Sequence, residues 1–341
     1  MRIVIFTKKY GTDVSGATLA THTLANIWAT YPDVGEIVVI TKALFSHSDN
    51  DKIRILKYGS LLDAYHLVRE NQAVDTVFYS DDHLGFLLSC FSVSYVHTYH
   101  GNWPDAMWLS PRFFFYSLVF IPLYALTVNR ACYVINVSRY MQRRFTDKFN
   151  KKSMIIRNGV ASSKAHRVAR GSVNERCCMI GSVCQRKYGK LMELDKQLLE
   201  NNIKLGIDIY GGVTDKELAE KLQTFSNIHL KGFVDFNNID VSEYDFFLST
   251  STQENMPISV IEALKAHLPV ITFGVGGVSE AVDDTCGCII NNCDVNEMAS
   301  TIAGVVHGQK KFDFSGLDIS DYDWMKAAAS YKRVFDKTMY L

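Results

Sequence analysis

Short runs of β-branched and aromatic residues alternate with longer amphipathic stretches along the first half of the chain. Strands are predicted at 3–7, 37–41, 53–58, 76–79, 95–99 and 133–137. Helical patterns lie between them, at about 16–30, 60–71, 83–91, 111–129 and 138–149. Because parallel strands need crossover connections that are usually helices, this alternation is typical of βαβ units in a parallel sheet.

The alternation stops in the polar stretch 161–175 and then resumes, so this stretch is predicted to be a linker between domains. Strands are predicted within 177–183, 204–212, 227–234, 244–250 and 269–274, and helices at about 188–201, 214–224 and 257–267. A last helical pattern runs from 322 to 339. We therefore predict an α/β protein with two tandem Rossmann-like domains, at 1–160 and 176–320, followed by a terminal helix in 321–341.

Charge is balanced overall but not along the chain. Of 341 residues, 36 are Lys or Arg, 36 are Asp or Glu, and 48% are hydrophobic. This apolar content suffices for two cores, and the balance argues against a strongly basic nucleic-acid-binding protein, so no nucleic-acid partner is expected. Residues 1–165 nevertheless hold 18 basic against 12 acidic side chains, and the rest holds 18 against 24. A basic first half is compatible with a domain that faces a membrane.

The longest apolar run is 113–128, which is shorter than the ~20 residues that a spanning helix needs. Around it, residues 105–152 hold eight basic and two acidic side chains. One interpretation of this combination is a peripheral docking face for an anionic membrane surface and a lipid-linked acceptor. A buried helix followed by a solvated basic helix explains it equally well. The early IVIF run is followed by lysines rather than by a cleavage site, so we expect a cytoplasmic protein at the inner face of the cell membrane.

Most of the eight cysteines lie in strand-like apolar runs and are predicted to be buried, reduced thiols. Cys184, Cys286, Cys288 and Cys293 do not have the spacing of a metal site, so no metal is expected there. The Asp321-Tyr-Asp323 sequence is better explained by capping of the terminal helix than by metal binding. Asp81 and Asp82, before the predicted helix at 83–91, are interpreted in the same way.

The loop 11–18, GTDVSGAT, follows the first strand and opens a helix, where backbone amides can meet a phosphate. Its two glycines, Gly11 and Gly16, have the spacing of a nucleotide-binding P-loop, but Ala17 stands where the phosphate-binding lysine belongs. The loop therefore argues against a nucleoside triphosphatase. A plain glycine-containing turn remains an equal alternative.

Two acids, Glu254 and Glu262, stand eight positions apart in the segment 249–282, STSTQENMPISVIEALKAHLPVITFGVGGVSEAV. Glu254 lies in the loop that leaves a strand, and Glu262 lies inside the next helix. Pro257 suits the first helical turn, which directs the amides of Asn255 and Met256 toward a crevice where open α/β sheets bind anions. From spacing alone, two solvated acids remain the simpler interpretation.

This segment resembles the E-x7-E signature of the retaining glycosyltransferases of family 4, which have the GT-B fold. Its amino-acid sequence is also similar to those of enzymes of surface-polysaccharide, O-antigen and capsule assembly. Other landmarks of that family follow in the same order over nearly the whole chain. They are Ser15-Gly16, YVHTYHG ending near His100, VINVS at 134–138, IIRNGV at 155–160, MIGSVCQRK at 179–187, IDIYGG at 207–212, HLKGFV at 229–234 and GVGGVSEAV at 274–282. The resemblance implies a terminal helix that returns to the first domain.

The resemblance also implies residue roles, with the acceptor bound by the first domain, the donor by the second, and transfer in a cleft between them. Glu262 would hold the ribose hydroxyls, Glu254 the donor hexose, and Lys187 the phosphates, while His100 would contact the sugar near the reacting carbon. The catalytic set is then Glu254, His100 and Lys187. The donor-binding set adds Gly16, Ser182, Arg186, Gly211, Phe233, Val234, Asn255, Met256, Pro257, Ile258 and Glu262.

One departure from the family pattern concerns the diphosphate. The family usually has Arg where this chain has Ser182, so a fixed cation is missing unless Arg186 replaces it. The implied function is a metal-independent, retaining hexosyl transfer from a nucleoside diphosphate sugar, with uridine favoured, to a glycan or lipid-linked acceptor. Two alternatives stay open: a nucleotide-sugar epimerase of the same shape, and a catalytically weak sugar-nucleotide-binding subunit of a partner enzyme.

Overall fold

The structure is a computed structural model that describes residues 1–12, 15–160 and 175–339. The chain divides into two compact units. Unit 1 is Met1–Gly159 with Asp321–Leu341, and unit 2 is Val160–Ser320. The predicted linker lies outside the described residues except for Glu175.

Unit 1 is a parallel sheet with helices on both faces. Its elements are β1 (Arg2–Tyr10), α1 (Gly16–Ala29), β2 (Glu36–Leu44), β3 (Ile53–Lys57), α2 (Leu61–Glu70), β4 (Thr76–Ser80), α3 (Phe86–Cys90), β5 (Tyr95–Tyr99), α4 (Trp103–Ala106), α5 (Pro111–Arg130), β6 (Tyr133–Asn136), α6 (Arg139–Arg144) and β7 (Ser153–Ile155). Within the described residues, the strand order is β3-β2-β1-β4-β5-β6-β7, and every pairing is parallel.

Successive residues of β1 face opposite sides of this sheet, as the period of a strand requires. Ile3 and Ile5 lie in one hydrophobic cluster, and Val4 and Phe6 lie in another. The first cluster includes the last helix of the chain, Trp324–Thr338, which belongs to unit 1 and packs against α1. The predicted return of the terminal helix is therefore correct.

Unit 2 repeats the architecture with a smaller sheet. Its elements are β8 (Arg176–Ile180), α7 (Gln185–Tyr188), α8 (Leu191–Glu200), β9 (Gly206–Tyr210), α9 (Lys216–Leu222), β10 (Ile228–Gly232), β11 (Phe246–Ser249), α10 (Ile258–Lys265), β12 (Val270–Phe273), β13 (Gly287–Ile290) and α11 (Val295–Val306). The terminal helix of unit 1 is accordingly α12. The strand order among the described residues is β10-β9-β8-β11-β12-β13, again all parallel.

The sequence pattern misses five elements and differs in the bounds of others. The strands β7 and β13 and the helices α4, α7 and α11 were not among the predicted elements; both strands lie at the edges of their sheets. The predicted helix at 138–149 is the short α6 followed by one 3-10 turn, because the backbone at Phe145 leaves the helical region. The predicted helix at 188–201 is α8, which begins three residues later, at Leu191.

Candidate active site

The turn after β8 brings Lys187 against the backbone of unit 2. Gly181 begins this turn, and a Cβ atom there would lie 2.5 Å from Nζ of Lys187. Tyr188, at the end of α7, donates a hydrogen bond from its hydroxyl to the carbonyl of Gly181 at 3.0 Å. Ser182 lies half-buried between β8 and α7. A side chain at 181 would have to displace the Lys187 side chain, and the φ of +141° at Gly181 itself favours glycine, so the turn lets Lys187 lie directly against the backbone.

A second loop, 250–257, is held on the same turn by hydrogen bonds. The hydroxyl of Thr250 donates to the carbonyl of Lys187 at 2.6 Å. The amide of Thr252 donates to the carbonyl of Arg186 at 2.9 Å. These bonds join the carboxyl ends of β8 and β11, which are neighbours in the sheet. The predicted donor-site residues of the two loops are therefore brought together.

Glu254 meets both cations of α7. Its Oε1 lies 2.7 Å from Nη1 of Arg186 and 3.3 Å from Nζ of Lys187. Burial acts to raise the pKa of Glu254, but Lys187 and Arg186 outweigh it and hold the pKa below its usual value. The carboxylate is therefore charged at neutral pH. The interpretation of Glu254 as a solvated loop acid is wrong, because its side chain is only 13% exposed.

Arg186 lies beside Glu254, and its replacement of the cation that is missing at Ser182 stays a prediction. Besides the pair with Glu254, its guanidinium donates to the carbonyl of Gln253. Two positive groups thus lie beside one carboxylate at the carboxyl edge of the unit 2 sheet. This is a local excess of positive charge in a half of the chain that is acidic overall.

Two glycines allow close backbone approaches around this cluster. A Cβ atom on Gly211 would lie 2.0 Å from the carbonyl oxygen of Gly181, and one on Gly276 would lie 2.0 Å from that of Glu254. Gly276 also has a φ of +62°, a conformation that favours glycine. The amide of Gly277 donates to the carbonyl of Asn255 at 2.6 Å. Gly276 was not among the predicted site residues, although the Gly-Gly pair in 274–282 was the signal that could have found it.

The helix α10 carries Glu262 away from this cluster. Asn255, Met256 and Pro257 are buried, and α10 begins at Ile258, so Pro257 directly precedes the helix instead of lying in its first turn. Burial and the neighbouring Asp235 carboxylate raise the pKa of Glu262 to about 7.

The segment after β10 carries the residues predicted to read the base. Phe233 is 70% exposed, whereas Val234 packs partly buried against the cluster that contains Val260 of α10. Asp235, which follows them, caps the next turn through Asn237. Because Val234 and Phe236 pack in the same cluster as Val260, this segment lies beside α10.

Unit 1 holds the two remaining predicted site residues. Gly16 begins α1, where Ser15 and Thr18 exchange hydrogen bonds that cap the helix. His100 directly follows β5, and burial lowers the pKa of its imidazole to about 4, so it is neutral at pH 7. Both lie at the carboxyl edge of the parallel sheet. Asp13 and Val14, in the predicted glycine loop, lie outside the described residues.

Side chains considered as metal ligands have structural partners. Asp323 caps α12 through the amide of Lys326, and Asp82 caps the turn at 83–85 through the amide of Leu84, as predicted. For Asp81 the capping interpretation is wrong: this residue is buried, accepts a hydrogen bond from the hydroxyl of Thr21, and has a pKa raised to about 7 by burial.

The cysteines divide by exposure. Four are buried as predicted: Cys177, Cys178, Cys286 and Cys288. Cys90, at the end of α3, is exposed. In the part of the chain that the structure describes, no group of three His, Cys, Asp or Glu side chains is placed to hold a metal ion.

Two sequence families match the chain, one in each unit. Residues 24–164 match the family described as Glycosyltransferase Family 4. Residues 176–307 match the family described as Glycosyl transferases group 1. Both halves of the chain thus match families of glycosyltransferases, and the two matches together cover most of its length. The second match contains Lys187, Glu254 and Glu262, and the first contains His100.

Curated relatives match a shorter segment of the chain. A poly(ribitol-phosphate) alpha-N-acetylglucosaminyltransferase of Staphylococcus aureus is 30% identical over 112 residues, which is 32% of this chain and 23% of that protein. The O-antigen biosynthesis glycosyltransferase WbnH of Escherichia coli is 30% identical over 108 residues, 31% of either chain. The match thus spans less than a third of the length of these relatives.

Solved structures resemble the whole chain. The apo form of WaaB, a lipopolysaccharide outer core galactosyltransferase, has a TM-score of 0.70 at 11% identity and covers 97% of this chain and 100% of its own. HepE of Anabaena, in complex with UDP and glucose, has a TM-score of 0.70 at 14% identity, with full coverage of both chains. The predicted GT-B fold is confirmed.

Proposed function

We propose that this chain is a retaining glycosyltransferase that moves a hexose from a nucleoside diphosphate sugar, with UDP favoured, to a glycan acceptor in cell-surface polysaccharide assembly. The observation that carries the proposal is the cluster of Arg186, Lys187 and Glu254 at the carboxyl edge of the unit 2 sheet. It is supported by the two glycosyltransferase family matches and by relatives whose names describe transfer of N-acetylglucosamine and O-antigen biosynthesis.

Departure of a nucleoside diphosphate requires stabilisation of the charge that develops on its phosphates. Lys187 and Arg186 supply that charge in the proposed reaction, together with the amides before α10, and no metal is required. Glu254 accepts hydrogen bonds from the donor hexose and keeps the two cations in place. The leaving phosphate takes the proton of the acceptor on the same face of the sugar, which retains the anomeric configuration.

Glu262 is assigned to the ribose of the donor. Its carboxylate lies on α10, beside the segment 233–235 that is assigned to the base. A carboxylate can accept hydrogen bonds from two neighbouring hydroxyls, which suits the ribose diol. Gly16 and His100 belong to unit 1, and their contacts with the donor stay predictions.

The acceptor is proposed to be lipid-linked, and the reaction is placed in the cytoplasm at the inner face of the cell membrane. The support is the basic composition of 105–152 in unit 1, which suits an anionic surface.

A nucleotide panel followed by a transfer assay tests the proposal. UDP, GDP and ADP are first compared by thermal shift, because a ligand that binds only the folded protein raises its melting temperature. The matching sugar nucleotides are then incubated with and without glycan acceptors, and the anomeric configuration of the product is read by NMR. We expect acceptor-dependent transfer with retention. Epimerised donor without acceptor, or binding without turnover with any acceptor, would replace the proposal by one of the alternatives.

A further inference from the structure

The helix α5 exposes an apolar stripe along its whole length. Phe115, Leu118, Val119, Pro122 and Leu126 are exposed, and their spacing places them on one face of the helix. Phe115 is 66% exposed, Leu118 is 53% and Val119 is 58%. Trp108, just before the helix, is 76% exposed. Contiguous apolar surface of this kind marks a site of interaction.

The opposite face of α5 packs on unit 1 with both apolar and hydroxyl-bearing side chains. Its buried residues are Ser117, Tyr124, Thr127 and Val128, three of which carry hydroxyl groups. Tyr95 donates a hydrogen bond from its hydroxyl to the carbonyl of Thr127 at 2.7 Å. A helix on the surface of a soluble domain normally turns its apolar stripe toward the core. The apolar stripe therefore does not serve the core of unit 1.

Basic side chains flank both ends of the stripe. Arg112 is exposed in the first turn of α5, and Arg130 is exposed at its last residue. The segment 145–152 is held against the same end of the helix, because Asn129 donates to the carbonyl of Phe149 and Asn150 donates to that of Val128. This contact brings the exposed Lys148 and Lys151 beside Arg130.

Contacts on one side hold α5 to unit 1. Among the described residues it is the one helix whose length and composition would allow it to span a membrane, so the expectation that the apolar run is too short is wrong; 22% of its most apolar stretch is buried. Phe120 on its inner side lies 4.6 Å from Trp103 and 4.7 Å from His83, measured between ring centroids. With the hydrogen bond from Tyr95, these contacts favour an orientation in which the helix stays on unit 1 and lies along a surface.

We propose that the outward face of α5 docks unit 1 on a bilayer of anionic phospholipid, with the helix parallel to the membrane plane. The stripe enters the boundary between headgroups and acyl chains, Trp108 lies at the headgroup level, and the flanking cations meet the lipid phosphates. A second copy of this chain fits the face less well, because two-fold pairing through the stripe would bring identical basic rims together. The inference deepens the proposed lipid-linked acceptor by naming the surface on which it would be met.

The test is binding of the full chain to vesicles, without any donor or acceptor. Flotation is measured with vesicles of phosphatidylcholine and phosphatidylglycerol in equal amounts and with pure phosphatidylcholine, at low and high salt. We expect binding to the anionic vesicles that weakens with salt. The variant Leu118→Glu/Val119→Glu should lose at least roughly tenfold in apparent affinity. Arg130→Glu/Lys148→Glu should lose roughly fivefold or more per residue, since each cation near an anionic surface contributes about 1 kcal/mol.

The matched control is Leu61→Glu/Leu62→Glu, which changes two equally exposed leucines at the start of α2. Because the substituted side chains are exposed in both variants, we expect native melting temperatures and unchanged vesicle binding by the control. Equal binding by the wild type and the α5 variant would overturn the proposal. So would a wild-type dimer that the α5 variant dissociates, without vesicle binding, in analytical ultracentrifugation. Failure here leaves glycosyl transfer to a soluble acceptor intact, so the two proposals can fail separately.

Discussion

The charge of Glu254 depends on its two cationic neighbours. Burial alone would favour the protonated acid, and Arg186 and Lys187 reverse that preference. The same contacts keep two positive side chains side by side at the sheet edge. This arrangement explains why an acid, two basic residues and several glycines occur together in these two loops.

Removal of Glu254 should separate turnover from nucleotide binding. In Glu254→Ala we expect turnover to fall by orders of magnitude, because the donor sugar loses its carboxylate partner. Nucleoside diphosphate should bind at least as tightly as before, since Arg186 and Lys187 then have no competing anion. Steady-state kinetics and calorimetric titration with UDP measure the two effects. Glu217→Ala, on the exposed side of α9, serves as the control. Normal turnover in Glu254→Ala would contradict the assignment.

Glu262 gives a pH-dependent stability. Its folded pKa of about 7 lies above the unfolded value of about 4.3. Between these values the unfolded chain loses this proton first, so the carboxyl lowers stability progressively as pH rises from about 4.3 to 7, and the loss is complete above that range. Glu262→Gln removes the ionisable group. We expect its melting temperature to exceed that of the wild type more at pH 8 than at pH 4, as measured by calorimetry.

The same substitution, Glu262→Gln, should stabilise the fold at high pH but weaken nucleotide binding. Because the ionised carboxylate accepts both ribose hydrogen bonds, UDP should bind more weakly to Glu262→Gln at pH 8. A variant that is stabilised at high pH yet binds UDP normally would remove Glu262 from the ribose site.

At the scale of elements, the candidate donor residues lie on loops that approach each other closely. The segment after β8 carries the two cations, and the loop before α10 carries Glu254. Thr250 and Thr252 bind the first to the second, and Gly276 lets the loop after β12 pack on the carbonyl of Glu254. The sequence shows these segments as separate motifs, because their contacts join residues far apart in the chain.

Substitution of Gly276 tests this packing. Gly276→Ala should displace the backbone at Glu254 and reduce UDP affinity and turnover, because its Cβ would clash with the carbonyl oxygen. Gly308→Ala is the matched control, since its φ is +68° but nothing lies within 4 Å of the added atom. Both variants lose about 1 kcal/mol from backbone conformation. Equal UDP affinity in the two variants, measured by titration calorimetry, would show that the close approach at Gly276 has no role in the site.

At the scale of the whole molecule, unit 1 is built from both ends of the chain. Trp28 of α1 donates a hydrogen bond from its indole to the carbonyl of Ala328 at 3.2 Å, and its ring lies 4.9 Å from that of Phe335. The core of unit 1 is thus completed by α12, while the candidate donor residues lie in unit 2.

The two units should therefore respond separately to different changes. Phe335→Ala should destabilise unit 1 by about 3–5 kcal/mol, because it leaves a cavity in a fully buried cluster. UDP should raise the melting temperature of unit 2, which holds most of the candidate donor residues, more than that of unit 1. Differential scanning calorimetry, with Met325→Ala on the exposed side of α12 as control, separates the two transitions. A Phe335→Ala variant in which UDP no longer stabilises any transition would contradict independent units.

The sequence by itself determined the fold class, because hydrophobic periodicity is a local property of each strand and helix. The alternation of strand and helix patterns occurs in both units. Through the resemblance to family motifs the sequence also singled out Glu254 and Glu262, at E-x7-E spacing, and Lys187, at the end of MIGSVCQRK, as candidate site residues. It could not determine that Glu254 is buried against Arg186, that Asp81 is buried rather than a cap, or that α5 turns its apolar side outward. Those properties depend on which residues, distant in the chain, lie beside each other, and only tertiary packing decides that. The overall charge balance likewise does not reveal where charges cluster. The cations beside Glu254 and those at the ends of α5 act through their positions in space.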